Sequence, residues 1–277
     1  MRDWEVFETT TQMLLAPLLA DTTKRPAFAE TNENHERMFF DFVARLMKPS
    51  HFIEIGAHEA RASNRVAQAL PETTCFAFEA DRDVYDYFTS KGAIHAGVQY
   101  IYSAVSNRTG EVAFYKDVKV EPTAAAPFSG NNSVLRKPGD KEYTAVNVPT
   151  TRLDDFFQSG QGAAQTLESA VLWIDAEGHA YDVLQGAPQV LNKTVGIYVE
   201  VEDYPIWIEQ KTAFDVFSLL DRFGFVPVTR DVETPGQYNV LLLKRPMHLE
   251  RSYRSRIAMY HAELSAIVAN EIREMQS

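Results

Sequence analysis

Phe52-Ile53-Glu54-Ile55-Gly56-Ala57-His58-Glu59-Ala60 decides how this chain is read. A short apolar strand ends in an acid, turns on a glycine and runs into helix-forming sequence. After that helix a second strand, Cys75-Phe76-Ala77-Phe78, ends in another acid, Glu79. Strand, glycine turn, helix, strand, acid is the opening of a nucleotide-cofactor fold.

Outward from this unit the pattern alternates. Strands are expected at 51–56, 74–79, 98–105, 171–176, 196–202, 225–230 and 238–244, with helices at about 60–70, 82–90, 180–192 and 211–222. Strands such as Val171-Leu172-Trp173-Ile174 are continuously apolar, as strands covered on both faces are. The expected fold class is α/β, a mainly parallel sheet with helices on both faces. Pro235-Gly236 stands where a helix would separate the last two strands, so a hairpin and one antiparallel strand are expected there. Residues 1–48 read as a helical cap, with Phe39, Phe42, Val43 and Leu46 at helical spacing and Pro49 as the stop. Residues 49–245 read as the main domain and 246–277 as a C-terminal helix. Between about 106 and 150 the alternation breaks. Val112 to Tyr115 reads as a short strand, and Pro122, Pro127, Gly130, Pro138 and Gly139 mark irregular chain. Within it, 117–150 is the candidate acceptor loop. A second polar loop covers 158–169.

Composition narrows the chemistry. The 277 residues are 45% hydrophobic, enough for a sizeable core, and the net charge of -11 argues against nucleic acid and anionic membrane as partners. The lone Cys75 lies in an apolar strand and reads as an inert thiol. The apolar stretch Met13–Ala20 follows Asp3, Glu5 and Glu8, where a secretory leader carries positive charge, so a cytoplasmic protein is expected. Asn131-Asn132-Ser133 matches a glycosylation acceptor and is read as chance.

A dinucleotide loop needs glycines where this chain has His58 and Arg61, which counts against a nicotinamide or flavin enzyme. A cofactor without phosphates, such as S-adenosylmethionine, needs less of that cradle, and Glu54 suits the ammonium of its amino-acid end. Glu79 can accept both ribose hydroxyl protons. A third strand end, Trp173-Ile174-Asp175-Ala176-Glu177-Gly178-His179, faces the same crevice, because ligands sit at the carboxyl ends of such strands. His179 and Asp175 are the candidate bases and His58 the third. Each of these positions also has a plain structural reading, as a turn glycine, a solvated strand-end acid or a helix-start histidine.

In order along the chain these pieces resemble the FkbM family of S-adenosylmethionine-dependent methyltransferases. The matching runs are Ile53-Glu54-Ile55-Gly56-Ala57, Phe78-Glu79-Ala80, Ser103-Ala104-Val105-Ser106 with Gly110, and Asn132-Ser133. They continue with Thr151-Arg152-Leu153-Asp154-Asp155, Ile174 to His179, Val183-Leu184-Gln185-Gly186-Ala187 and Val199-Glu200. The resemblance implies a Rossmann-like class I methyltransferase fold with a mainly parallel seven-stranded sheet. It also implies O-methyl transfer to a sugar or natural product. The chain departs from the family pattern at Glu54, His58, Ala60 and Ala180, where Asp, Asn, Gly and an acid are usual.

On this reading Glu54, Gly56 and Ala57 lie by the cofactor's amino-acid end, Glu79 by its ribose, and Ser103 and Ala104 by its adenine, with Ala80 and Asp175 also in contact. Asn131, Asn132, Ser133 and Glu177 are the candidate acceptor residues. A divalent metal such as Mg is assigned to Asp175, Glu200 and Asp203, since a sugar hydroxyl is a weak acid. The partner is a small-molecule or glycan acceptor, and the C-terminal helix packs on its own domain or makes a homodimer. The rival reading is a catalytically inactive, methyltransferase-like binding partner in a biosynthetic assembly.

Overall fold

The computed structural model describes residues 3–20, 25–118, 128, 130–160 and 166–276. Parts of the two loops singled out above, 119–127 with 129 and 161–165, lie outside the described residues.

The strands β1 (His51–Ile55), β2 (Thr74–Glu79) and β3 (Val98–Tyr102) are separated by α3 (Arg61–Ala69) and α4 (Arg82–Ser90); two N-terminal helices, α1 (Asp3–Leu19) and α2 (Arg25–Phe42), precede them. Then come β4 (Ala104–Val105), β5 (Gly110–Asp117), β6 (Tyr143–Thr151), α5 (Leu153–Gln158), β7 (Ala170–Ile174), α6 (Ala180–Gln185), α7 (Pro188–Lys193) and β8 (Thr194–Glu202). The chain closes with α8 (Ala213–Asp221), β9 (Phe225–Arg230), β10 (Gln237–Lys244), α9 (Arg245–His248) and α10 (Arg251–Gln276). The main sheet has the order β3-β2-β1-β7-β8-β10-β9. β1, β2, β3, β7 and β8 are parallel, and β10 is antiparallel to both its neighbours. This is the expected seven-stranded, mostly parallel class I methyltransferase sheet. Strand order reverses between β1 and β7, so a crevice opens there, beyond the strands' carboxyl ends.

Each strand divides its side chains between two cores. Phe52, Val171, Trp173 and Tyr198 face Phe39 and Phe42 of the N-terminal segment and Tyr260 and Leu264 of α10. Ile53, Ile55, Leu172, Ile174 and Val199 face α5 to α8. Residues of both N-terminal helices pack into the core on that face of the sheet. α10 buries Tyr253, Tyr260, Leu264, Ile267 and Val268 against its own chain, so its apolar stripe needs no second subunit. No described helix is long and apolar enough to cross a membrane. Cys75 is fully buried, and burial pushes its thiol up to about 12.

Three expectations are corrected. The strand expected at 98–105 breaks at Ser103, whose N–H donates to the Glu79 carbonyl at 3.0 Å. Ala104 and Val105 then join a second sheet of order β4-β6-β5. Much of the region read as irregular is this sheet. β6 buries only Val148 and Thr150, too little for an apolar period to show in the sequence. The helix expected at 180–192 splits before Pro188, and the buried Asp154 carboxylate accepts the N–H groups of Gln189 and Val190 at 3.0 Å.

Candidate functional site

The site begins at the turn after β1. Gly56 has φ +75°, and a Cβ there would lie 1.7 Å from the Asp175 carbonyl oxygen. Only glycine lets the first loop and the loop after β7 approach so closely. Gly56→Ala is therefore expected to lower stability by roughly 2–3 kcal/mol, combining left-handed strain with overpacking. Urea unfolding checks this, and an unchanged midpoint would refute it.

His58 and Ala60, where the family pattern has Asn and Gly, both have left-handed backbone, at φ 45° and 54°. Asn and Gly tolerate that conformation best, so the pattern has a steric cause. Glu54 is 3% exposed and lies beneath the turn. Its oxygens accept the N–H groups of Ala62 at 3.2 Å and Ser63 at 2.7 Å, anchoring the start of α3, while burial pushes its carboxyl up to about 7.

Glu79 ties the second strand end to the first. Its Oε2 accepts the His58 N–H at 2.7 Å and its Oε1 the Asp81 N–H at 2.6 Å. Burial raises its pKa despite these donors. Asp81, not singled out from the sequence, caps α4 and accepts from Lys116 Nζ at 2.7 Å and Asn132 Nδ2 at 2.8 Å. Its place directly before a helix was the available signal.

A cavity of about 420 Å³ gathers these groups. Gly56, His58, Glu79, Ala80, Ser103, Ala104, Asn132, Ser133, Asp175, Glu177 and His179 all line it. Phe78, Val84, Val105 and Phe114 add an apolar wall. Glu54, Ala57 and Asn131 do not line it, and Asn131 Oδ1 instead accepts from Lys137 Nζ at 2.6 Å. Asn132 and Ser133 clasp the second sheet to the site. Asn132 Oδ1 accepts the Asp117 N–H at 3.0 Å, and Ser133 Oγ donates to the Glu177 carbonyl at 2.8 Å. The volume, the strand-end carboxylate and the apolar wall suit an adenosine with no phosphates.

At the far end carboxylates crowd together. Asp175, Glu177 and Glu200 each bring an oxygen within 4.8 Å of the others. Asp203, expected with them, is outside that group and accepts from the Tyr238 hydroxyl at 3.0 Å. Glu200 Oε1 accepts from Gln237 Nε2 at 2.9 Å, and Oε2 receives no hydrogen bond. Glu202, not singled out from the sequence, lies two residues on along the same strand face, and that spacing was the available signal; Gln210 Nε2 donates to its Oε2. Burial and then the Glu233 charge push Asp175 up to about 7. Burial and then Asp175 raise Glu177, Glu200 and Glu202 as well.

Each candidate histidine has one ring nitrogen in a hydrogen bond. His179 Nε2 is 2.9 Å from Ser106 Oγ, and Nδ1 is 3.5 Å from Asp182 Oδ2. Burial lowers its pKa. His58 Nδ1 is 2.5 Å from Glu59 Oε2, a hydrogen bond that raises its pKa.

The family model described as "Methyltransferase FkbM domain" matches residues 54–227. A protein named 2-O-methyltransferase NoeI, from Sinorhizobium fredii (strain NBRC 101917 / NGR234), is 26% identical over 194 residues, covering 66% of this chain and 76% of the relative. Among solved structures, the N-terminal domain of EvdMO1 in the presence of SAH and D-fucose aligns with TM-score 0.39 and 11% identity, over 80% of this chain and 83% of that one. A precorrin-6y C5,15-methyltransferase from Geobacter metallireducens aligns with TM-score 0.39 and 10% identity, over 75% of this chain and 87% of that one.

Proposed function

The chain belongs to the FkbM family of methyltransferases, and from that premise we propose that it is an O-methyltransferase acting on a hydroxyl of a sugar or natural product. One observation carries the reading: a single cavity joins the turn at Gly56, the Glu79 carboxylate, the Ser103-Ala104 edge and the carboxylates of Asp175 and Glu177. The name of the 26% identical relative supports oxygen as the acceptor atom. Residues 49–245 serve as the methyltransferase domain, with 1–48 and 246–277 as helical additions.

S-adenosylmethionine supplies an electrophilic methyl group when bound. The turn after β1 lies by its amino-acid end, with Glu54 acting from beneath through the loop it anchors. Each Glu79 oxygen accepts one backbone N–H and keeps a lone pair for a ribose hydroxyl. Ala80, Ser103 and Ala104 flank the adenine, with Val105 and Phe114 covering it. Asp175 holds the acceptor hydroxyl and takes its proton, aligned by Glu177. His179, with its Nε2 taken up by Ser106, walls the cavity and positions that hydroxyl.

Asp175, Glu177 and Glu200 also have the spacing to hold a divalent cation. Chelation decides between the two roles. Transfer that survives EDTA leaves these groups as proton acceptors. Transfer that is lost and returns with Mg2+ makes them cation ligands.

The test of the whole reading is calorimetric titration with S-adenosylmethionine and S-adenosylhomocysteine, followed by methyl transfer to a panel of monosaccharides and polyols. Micromolar binding and a methyl ether product are expected. A folded protein that binds neither ligand would be a non-catalytic binding partner instead.

A further inference from the structure

A second cavity abuts the first. Its volume is about 590 Å³, within the range of small-molecule sites, and His179 and Val134 line both cavities. Three segments wall it. The turn after β4 supplies Ser106 to Arg108, α6 supplies Tyr181, Asp182 and Gln185, and the loop after β8 supplies Glu209 and Lys211. The Ile208 N–H donates to the Arg136 carbonyl at 2.7 Å, which holds that loop against the segment carrying Val134 and Leu135.

The polar side of this cavity is ordered by its own contacts. Asp182 and Gln185 stand three residues apart on α6 and so share a helix face. Asn107 Nδ2 donates to both, to Asp182 Oδ1 at 2.6 Å and to Gln185 Oε1 at 2.8 Å. That leaves Gln185 Nε2 as a donor, and Asn107 Oδ1 and Asp182 Oδ2 as acceptors. His179 is 7% exposed, and its Nδ1 is buried without a hydrogen-bond partner, 3.5 Å from Asp182 Oδ2. Arg108 and Lys211 add donors, and their charge balances that of Asp182 and Glu209. Val112, Leu135 and the Tyr181 ring add apolar surface.

We propose that this second cavity is a subsite for the sugar ring next to the one methylated, so that the acceptor is a neutral glycoside of at least two rings. A hydroxyl donates and accepts at once, so it needs the mixture of donors and acceptors found here. An acidic group would meet Asp182 and Glu209, and an ammonium would meet Arg108 and Lys211. An apolar group would leave these polar atoms unpaired. The two cavities meet at His179 and Val134, and Asp175 lines the first. One ring can therefore offer its hydroxyl to Asp175 while its neighbour lies beyond His179. Methylation then follows the glycosyl transfer that joins the two rings. The proposal rests on the O-methyltransferase reading above.

The test assays each monosaccharide beside its methyl glycoside and beside neutral disaccharides carrying the same ring at either end. The better disaccharide is expected to exceed both single-ring forms at least about tenfold in kcat/KM. The paired substitution Gln185→Ala and Lys211→Ala is expected to raise the disaccharide KM about tenfold, with the monosaccharide KM and the Kd for S-adenosylhomocysteine unchanged within about twofold. Both side chains are exposed, so their truncation leaves the core intact. Disaccharides that serve no better than single rings overturn the proposal while leaving methyl transfer standing. A disaccharide advantage that survives the double substitution removes this cavity from acceptor binding. If no sugar is methylated, the sugar reading falls and this proposal falls with it.

Discussion

Glu79→Ala is expected to weaken S-adenosylhomocysteine binding by about 100-fold or more. Two hydrogen bonds from ribose hydroxyls to a carboxylate are each worth about 1.5–3 kcal/mol, and about 1.4 kcal/mol is tenfold in Kd. The carboxylate has a second task, because it holds the His58 and Asp81 N–H groups at 2.7 and 2.6 Å. Its removal loosens the loops after β1 and β2 together, so some stability is lost as well. Glu79→Gln separates the two contributions. The amide keeps one acceptor oxygen and turns a donor toward the other N–H, so it weakens binding less than alanine. Calorimetry at 25 °C measures the affinity, and thermal unfolding shows whether each variant is folded. A folded Glu79→Ala protein that binds within threefold of the parent would remove Glu79 from the ribose.

Asp175→Asn is expected to lower kcat by about 10²–10⁴, the range over which a positioned base contributes, with cofactor Kd nearly unchanged. The side chains are close in shape, and the backbone contacts that build the site survive. These are the Asp175 N–H to the Ile55 carbonyl, at 3.0 Å, and the close approach of Gly56. The asparagine protein is also expected to be at least as stable as the parent, because one acid leaves a group of carboxyls that oppose one another. His179→Ala serves as the comparison and is expected to cost less, since its Nε2 is already taken by Ser106 Oγ. Single-turnover methyl transfer reads both variants. An Asp175→Asn protein with parental kcat would exclude Asp175 as the proton acceptor and shift the role to Glu177.

The elements legible in the sequence are those whose signal is local. β7 is buried along its whole length and Ala170–Ile174 form an unbroken apolar run, while β1, buried as fully, interrupts its own run only with Glu54 after His51. The antiparallel β10 was legible from Pro235-Gly236, because a hairpin leaves turn residues where a crossover would need a helix. Gly56, Glu79 and Asp175 were legible as strand-end residues, and the crevice rule brings such residues together in any open parallel sheet. Glu200 was found by the same route, but its neighbour was misjudged. Glu202 shares its face, whereas Asp203 turns to the Tyr238 hydroxyl. β6 was missed, since a strand with two buried residues has almost no period to detect.

The sequence by itself determined the sheet, its antiparallel end, the turn at Gly56 and the acids around the crevice, because propensity, burial and chain direction act over a few residues. The tertiary structure alone decided what those acids do. Glu54 became an anchor for α3 because burial left the Ala62 and Ser63 N–H groups as its partners. Asp175, Glu177 and Glu200 became one group because β7 and β8 lie side by side. α2 is held to the chain between β9 and β10 because Thr31 Oγ1 accepts the Val232 N–H, 201 residues away along the chain. Such pairings depend on packing between distant segments, and no local pattern encodes which carboxylate will find a donor and which will face only other carboxylates.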